Sequence, residues 1–472
     1  MTNIKELINP FKELNDTLKC VGKLAKELKL ECYVVGGAVR DLFLQRKISE
    51  IDIMVVGDGI QFAKELADRL HIKKVITFER FGTAKLPRKS LPIEIASARE
   101  EFYDSDSRKP DEIIYTDLKG DLLRRDFTIN AMALDLLPRS FGNFFDPFGG
   151  VSDIKNKRLR TPLDPDSTFS DDPLRMIRAA YFSAKLGFQL SDDCIESMKR
   201  QAKRIEIVSW ERITAELIKI LETAKPSKGF TLLQNTGLMK YVFPEVDNMY
   251  GLEQVKEWHH KDVFYHTMQV VDNAAVLSEK MEVRFAALVH DIAKPRTRRI
   301  DSKNGYTFHG HDSIGTRMLD KIAKRMKLSN ELRDYLKNLT LLHLRPIALA
   351  KEGITDSAVR RVMVSAGENI DDLLILCRAD ITSKNPKLVK KYMGNFERVE
   401  KIMLDVKERD NFKEFQSPVR GKEIMKECGL SEGRLIGQIK HAIEEAILEG
   451  EIENNYESAY DYLVQIKDQY TS

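Results

Sequence analysis

Two short segments near the N-terminus combine residue types that handle phosphate. In Glu50-Ile51-Asp52-Ile53, strand alternation sends the isoleucines to one face and both carboxylates to the other. Just upstream, Val34-Val35-Gly36-Gly37 ends a strand and Ala38-Val39-Arg40-Asp41 opens a helix. Glycines there let backbone amides close on an anion at a helix N-terminus, and Arg40 adds a charge-assisted donor. A phosphate cradle beside an acidic pair points to Mg²⁺-assisted phosphoryl or nucleotidyl transfer with pyrophosphate as leaving group. The same short pattern also suits an edge strand with solvated acids behind a Gly-Gly turn.

Two further groups supply context. Arg124-Arg125-Asp126-Phe127-Thr128-Ile129-Asn130 sets two cations, a carboxylate and an amide beside an apolar strand, a grouping suited to ribose and triphosphate. Ser170-Asp171-Asp172-Pro173 reads as the cap and first turn of a helix that carries Asp172, Arg175 and Arg178 on one face. A carboxylate acceptor beside a guanidinium donor imitates the edge of a complementary base. A capped helix with an internal salt bridge accounts for the same residues.

The second half of the chain carries metal-type ligands in series: His266, the pair His290-Asp291, then His309, His311, His343 and Asp380. Neutral imidazoles with carboxylates suit Mg, Mn, Ni or Fe according to number and softness. Any one of these histidines alone fits a polar core or surface position; the series as a whole does not. His266, His290, Asp291 and Asp380 are expected to hold one metal, with His309, His311 and His343 completing a second. Lys294, with Arg296, Arg298 and Arg299, suits either a phosphate contact or a solvated basic loop. The runs 156–160 and 199–204 read the same two ways.

The elements that must position these residues are legible in outline. β-Branched alternating runs occupy 32–37, 50–57, 74–78, 91–97 and 130–136, with a helical stretch at 60–70. Segments 146–150 and 161–173 are rich in Gly, Pro, Asp and Ser and are expected as loops. Beyond about residue 171 the apolar spacing is helical throughout, including Ile436, Ile439, Ile443, Ala446 and Ile447 near the C-terminus. At roughly 150 residues per domain, 472 residues imply about three domains. With 42% hydrophobic residues the chain can bury real cores, which excludes a disordered protein. Charges nearly cancel, 76 basic against 73 acidic, so any nucleic-acid face must be local. Five scattered cysteines without a C-x-x-C pair exclude a disulfide framework or zinc ribbon. No run approaches the roughly 18 apolar residues of a membrane span, so a soluble, cytoplasmic protein with no membrane and no DNA partner is expected.

The ordered motifs GGAVRD, EIDI, RRDFTINA, DPFGG, DDPLRMIR and ERITAEL together resemble the class II tRNA nucleotidyltransferases, the CCA-adding enzymes that share a fold with bacterial poly(A) polymerases. The resemblance runs over residues 31–255. It implies an α+β chain: a small mixed-sheet palm over 1–145, a helical neck and body over 146–255, an HD phosphohydrolase domain over 256–390 and a helical tail over 391–472. By the same resemblance Glu50 and Asp52 hold catalytic Mg²⁺. Gly36, Gly37, Arg40 and Asp41 form the phosphate turn, and Arg124, Arg125, Asp126 and Asn130 take the ribose. Asp172 and Arg175 pair with the incoming base with Arg178 in support, and Glu211-Arg212 braces the neck. The segment from Arg99 to Pro110 resembles the flexible loop that switches C to A addition. Glu50 departs from the usual Asp, and Asp171 from the usual Glu. The histidine series is similar to HD domains that hydrolyse phosphomonoesters and 2′,3′-cyclic phosphates with a divalent metal. The implied partners are tRNA, CTP and ATP. CC-only or A-only addition, a poly(A) polymerase, and a hydrolase whose palm only binds RNA are the competing expectations; Phe78-Glu79-Arg80-Phe81-Gly82 lacks the arginine-rich segment of the poly(A) polymerases.

Overall fold

The computed structural model describes residues 3–79, 82–103, 110–252, 262–301, 305–349, 355–383, 385–409 and 417–471. They divide into two compact units, Met1–Pro244 and Glu245–Ser472. The expected palm, neck and body therefore fold together as far as Pro244.

Nine strands fall in the first part of unit one: β1 Glu31–Val35, β2 Ile51–Val56, β3 Ile76–Phe78, β4 Thr83–Leu86, β5 Ile93–Ser97, β6 Arg99–Tyr103, β7 Pro110–Tyr115, β8 Ala133–Asp135 and β9 Phe144–Phe145. Seven make one sheet in the order β3-β4-β5-β2-β1-β8-β9. Only β2 and β5 pair in parallel, so the sheet is mixed, as the sequence suggests. Ile51, Ile53, Ile93 and Ile95 are fully buried on the face covered by helices Lys12–Leu28 and Gly59–Arg69. The latter starts where Asp58 accepts the amides of Ile60 and Gln61. Tyr33, Val35, Met54, Leu122, Ala131 and Ala133 build a second core on the opposite face. Asp52 is opposite Val35 and Glu94 in the register, which puts it at the edge of that second core.

Three features depart from the expectation. Residues 161–173 are not one loop: Pro165–Asp171 is a helix with Pro165 at its first turn and Asp164 capping the amide of Ser167. Proline starts a helix readily because its missing N–H would be unbonded there. Ser170 and Asp171 thus close one helix, and the next, Leu174–Leu186, begins only after Pro173. Asp172, held extended before proline (φ −136°, ψ 99°), is the break between them. The segment expected as a flexible loop is flanked by strands, β6 and β7, paired antiparallel; Ser107, Arg108 and Lys109 lie outside the described residues, as do Arg80 and Phe81. Short strands also interrupt the helical part: β10 Arg158–Leu159 pairs in parallel with β11 Gln189–Leu190, and β12 Arg299–Asp301 with β13 Gly305–Thr307 antiparallel.

In unit two, helices Val263–Leu277, Met281–Val289, His311–Met326, Asn330–Leu342 and Ile370–Ala379 pack on one another. A separate core of Val419, Ile424, Ile439, Ile443, Ile447, Ala459, Leu463 and Ile466 realises the C-terminal apolar pattern. Among the described residues no helix is long and apolar enough to cross a membrane.

The closest backbone approach is at Gly22, where an added Cβ would stand 1.7 Å from the carbonyl oxygen of Leu136. Helix Lys12–Leu28 can lie that near only with glycine there. Gly22→Ala is expected to destabilise unit one by roughly 1–3 kcal/mol, read as a lower urea midpoint; an unchanged midpoint would contradict this packing.

Candidate functional site

The first constellation sits at the end of β1 and β2. The turn after β1 passes through Gly36 at φ +71°, where a Cβ would stand 2.9 Å from Nη1 of Arg125 and 3.1 Å from Oδ2 of Asp52. Only glycine at position 36 leaves room for both the Asp52 carboxylate and the Arg125 guanidinium. Asp52 accepts the Gly37 amide, which ties the glycine turn to the acid. Burial, and then the charges of Glu50 and Glu94, push Asp52 up to about 6, although Arg125 and the Gly37 amide pull the other way. Three carboxylates crowding one strand end are short of positive charge, which fits a divalent cation.

Arg40, expected as a phosphate donor, is engaged internally. It is buried, pairs with Asp41 at 2.9 Å and donates to Oδ1 of Asn130 at 2.7 Å. Asn130 in turn donates to Asp126 at 3.0 Å. These hydrogen bonds tie the helix after the turn to residues 126–130.

A cavity of 410 Å³ lies beside this turn, lined by Arg124, Arg125, Asp126, Asp172, Arg175, Arg178, Arg212 and Glu216 with Leu174 and Ala215. Asp121, fully buried, pairs with Arg124 at 2.5 Å and Arg125 at 3.0 Å, and despite burial the two guanidinium groups hold it below its usual range. Burial likewise opposes ionisation of Asp126, but Arg178 at 2.7 Å holds its carboxyl low. Arg175 donates to the carbonyls of Thr168 (3.1 Å) and Arg124 (2.6 Å). Asp172 accepts from the Leu174 amide at 3.1 Å and from Arg212 at 2.8 Å. Arg124, Arg125, Asp126, Asp172, Arg175 and Arg178 converge on the cavity, Asn130 lies behind Asp126 outside its lining, and Asp172 sits on the break before the helix and not on its face. Asp121 and Glu216 were not singled out by sequence reasoning; their spacing, three and four residues before Arg124 and Arg125 and four after Arg212, is the signal that marks them. The basic runs outside the cleft are largely engaged: Arg160 pairs with Asp153, Lys199 with Glu196 and Arg200 with Asp166.

The second constellation, in unit two, gathers at helix ends. His290, His343 and Asp380 follow the last residues of Met281–Val289, Asn330–Leu342 and Ile370–Ala379, while His311 opens its helix. Two groups of converging ligand atoms form, His266 with His290 and Asp380, and Asp291 with His311 and His343. Asp291 joins them: Oδ2 lies 3.1 Å from His290 Nε2 and 3.5 Å from His266 Nε2, and Oδ1 lies 3.4 Å from His311 Nε2. Each Nδ1 has an outer oxygen: Thr382 for His266, and the carbonyls of Ala287, Phe308 and Thr340 for His290, His311 and His343. That outer bonding orients the rings so that every Nε2 points inward, the arrangement a metal requires. His311 Nε2 and His343 Nε2 face each other at 3.3 Å, and His290 Nε2 and Asp291 Oδ2 are buried against each other at 3.1 Å with Lys294 Nζ 2.6 Å from the same oxygen. The donor set fits divalent metal. His309 is exposed and outside both groups, because its neighbour His311, two residues on, takes the inward position.

Burial alone would depress His290, but the carboxylates of Asp291 and Asp380 raise it to about 10, whereas burial and His290 lower His343 to about 4. The metal-free cluster therefore holds a proton on His290 at neutral pH.

Residues 32–160 match the Poly A polymerase head domain, 187–250 the probable RNA and SrmB-binding site of polymerase A, and 263–385 the HD domain. A multifunctional CCA protein of Vibrio campbellii is 33% identical over 369 residues, covering 74% of this chain and 85% of the relative. The CCA-adding enzyme of Bacillus stearothermophilus in complex with CTP superposes with a TM-score of 0.65 at 24% identity, over 96% of this chain and 98% of that one. The Thermotoga maritima CCA-adding enzyme complexed with tRNA gives 0.60 at 22% identity, over 98% and 99%.

Two outcomes are expected. Asp52 binds its proton more tightly folded (about 6) than unfolded (3.8), so its charge costs stability that grows between those pH values and is complete above 6. In EDTA at pH 7.5, Asp52→Asn raises folding stability by roughly 1–3 kcal/mol, with the gain vanishing below about pH 4; a loss of stability would contradict the crowding of acids. Titration of the metal-free protein with Mn²⁺ at pH 7 releases protons, measured with a pH indicator, because the ion displaces the His290 proton. Uptake without proton release would contradict a protonated His290 in the metal-free cluster.

Proposed function

The chain belongs to the family of multifunctional CCA proteins, and we propose that unit one adds C, C and A to the 3′ end of tRNA from CTP and ATP without a nucleic-acid template. Unit two is proposed to hydrolyse phosphate ends. Glu50 and Asp52 would hold Mg²⁺, which when bound neutralises the triphosphate and favours departure of pyrophosphate. The protein's own groups do the rest. Arg124 and Arg125, held by Asp121, present fixed positive charge to the triphosphate and ribose; Asn130 and Asp126 are locked through Arg40 and Arg178.

The observation that carries the reading is the Asp172–Arg175 pair on one wall of the cleft. Cytosine and adenine each place an amino donor beside a ring-nitrogen acceptor, whereas uracil and guanine place a carbonyl acceptor beside a ring N–H. A carboxylate acceptor next to a guanidinium donor complements the first two and repels the others. Arg175 is pinned by two backbone carbonyls and Asp172 by Arg212, so the protein itself serves as the template.

In unit two, His266, His290, Asp291 and Asp380 would hold one divalent ion, and His311 and His343 with Asp291 a second. Such ions activate water and polarise a phosphoryl oxygen. Hydrolysis adds the water oxygen to phosphorus, breaks the bond to a ribose oxygen, and leaves a proton on that oxygen. With five free cysteines and no membrane-spanning helix among the described residues, we place the protein in the cytoplasm.

The two activities separate by mutation. Asp52→Asn cuts incorporation of labelled CTP and ATP into tRNA lacking its CCA roughly a hundredfold or more while ring-opening of a 2′,3′-cyclic nucleotide to its monophosphate persists. His290→Ala does the reverse. Incorporation surviving Asp52→Asn, or ring-opening surviving His290→Ala, would overturn the corresponding assignment.

A further inference from the structure

The basic segment after the metal cluster carries a structure that phosphate hydrolysis alone does not require. Lys294 reaches Asp291 Oδ2 at 2.6 Å, and its ammonium lies 5.6 Å from the centre of the Phe308 ring. Phe308 is itself tied to the cluster, since its carbonyl receives His311 Nδ1 at 2.7 Å. Between these two anchors runs the β12–β13 hairpin. Its register pairs Ile300 with Tyr306, so the two share a face, and Ile300 is 76% exposed. Arg298 lays its guanidinium over Tyr306, 3.8 Å from the ring centre. Arg296 and Arg299 are exposed on either side of Arg298.

We propose that this hairpin face is a nucleoside-binding platform of the unit-two site, which selects the 3′ end of an RNA strand over a small phosphate ester. A guanidinium stacked on tyrosine presents a flat, cationic surface of the kind on which unstacked bases lie. The neighbouring exposed isoleucine adds apolar contact, and Arg296 and Arg299 suit the phosphates of the preceding nucleotides. The link through Phe308 and Lys294 to Asp291 sets the platform beside the ligand cluster, as a terminal nucleoside and its phosphate require. A generic phosphatase would need only the cluster. The proposal rests on hydrolysis at that cluster.

The test uses the full-length protein loaded with Mn²⁺ and two probes: an RNA trinucleotide ending in a 2′,3′-cyclic phosphate, and glycerol 2-phosphate, which has no base. Arg298→Gln and Tyr306→Leu are each expected to raise KM for the trinucleotide about tenfold with kcat little changed. Their rates on glycerol 2-phosphate stay at the wild-type value, which also shows that the variants are folded. Equal losses on both probes, or no change on either, would overturn the platform while leaving hydrolysis in place. A loss confined to CCA addition would reassign the hairpin to tRNA docking and overturn it too. Hydrolysis of neither probe by the wild-type protein would instead remove the hydrolase reading, and the platform with it.

Discussion

Carboxylates drawn away from water into a crowd of other ionisable groups are the constraint on which both units depend. At the end of β2, Asp52 is raised to about 6 by burial and by Glu50 and Glu94. In unit two, Asp291 is buried among four imidazoles, with Lys294 2.6 Å from one of its oxygens. Both arrangements are costly to bury, because ionisable groups taken out of water lose their hydration. A folded protein keeps such groups where function needs them, and their cost is met by the well-packed cores around them.

Around the Asp52 site the other buried carboxylates are paired. Asp121 is held by Arg124 and Arg125, Asp126 by Arg178 and Asn130, and Asp41 by Arg40. These pairs are rigid because both partners are anchored to short helices or turns, so cations facing the cleft keep their positions without substrate. Preorganised charge of this kind acts on a developing transition state without reorganisation. The histidines follow the same logic, each oriented by an oxygen bonded to the ring nitrogen that faces away from the centre. With Asp380, they lie at or within a turn of helix ends, which lets five helices aim at one point, as no single helix face could do.

Much of this is legible in the sequence, and the exceptions are physical. Alternation in Glu50-Ile51-Asp52-Ile53 shows which face the acids take, because strand geometry is local. The convergence of Arg124, Asp172 and Arg178 is also read from motif order, since the resemblance spans them. Which partner each arginine takes is not legible. Arg40 reads as a phosphate donor from its place after two glycines, yet Asn130, ninety residues on, captures it. Asp164-Pro165 reads as a loop by composition, yet proline in a first turn begins a helix. His309 and His311 are equivalent as letters, and only the helix start at His311 decides that one turns inward and the other outward.

In the proposed function a protein wall, Asp172 with Arg175, reads the incoming base in place of a nucleic-acid template. The most direct measurement supplies tRNA lacking its 3′ CCA with labelled CTP and ATP, separately and together, and reads product length on a gel. The account predicts two added residues with CTP alone, three ending in A with both, and none with UTP or GTP. A long A tail, or efficient use of UTP or GTP, would contradict it.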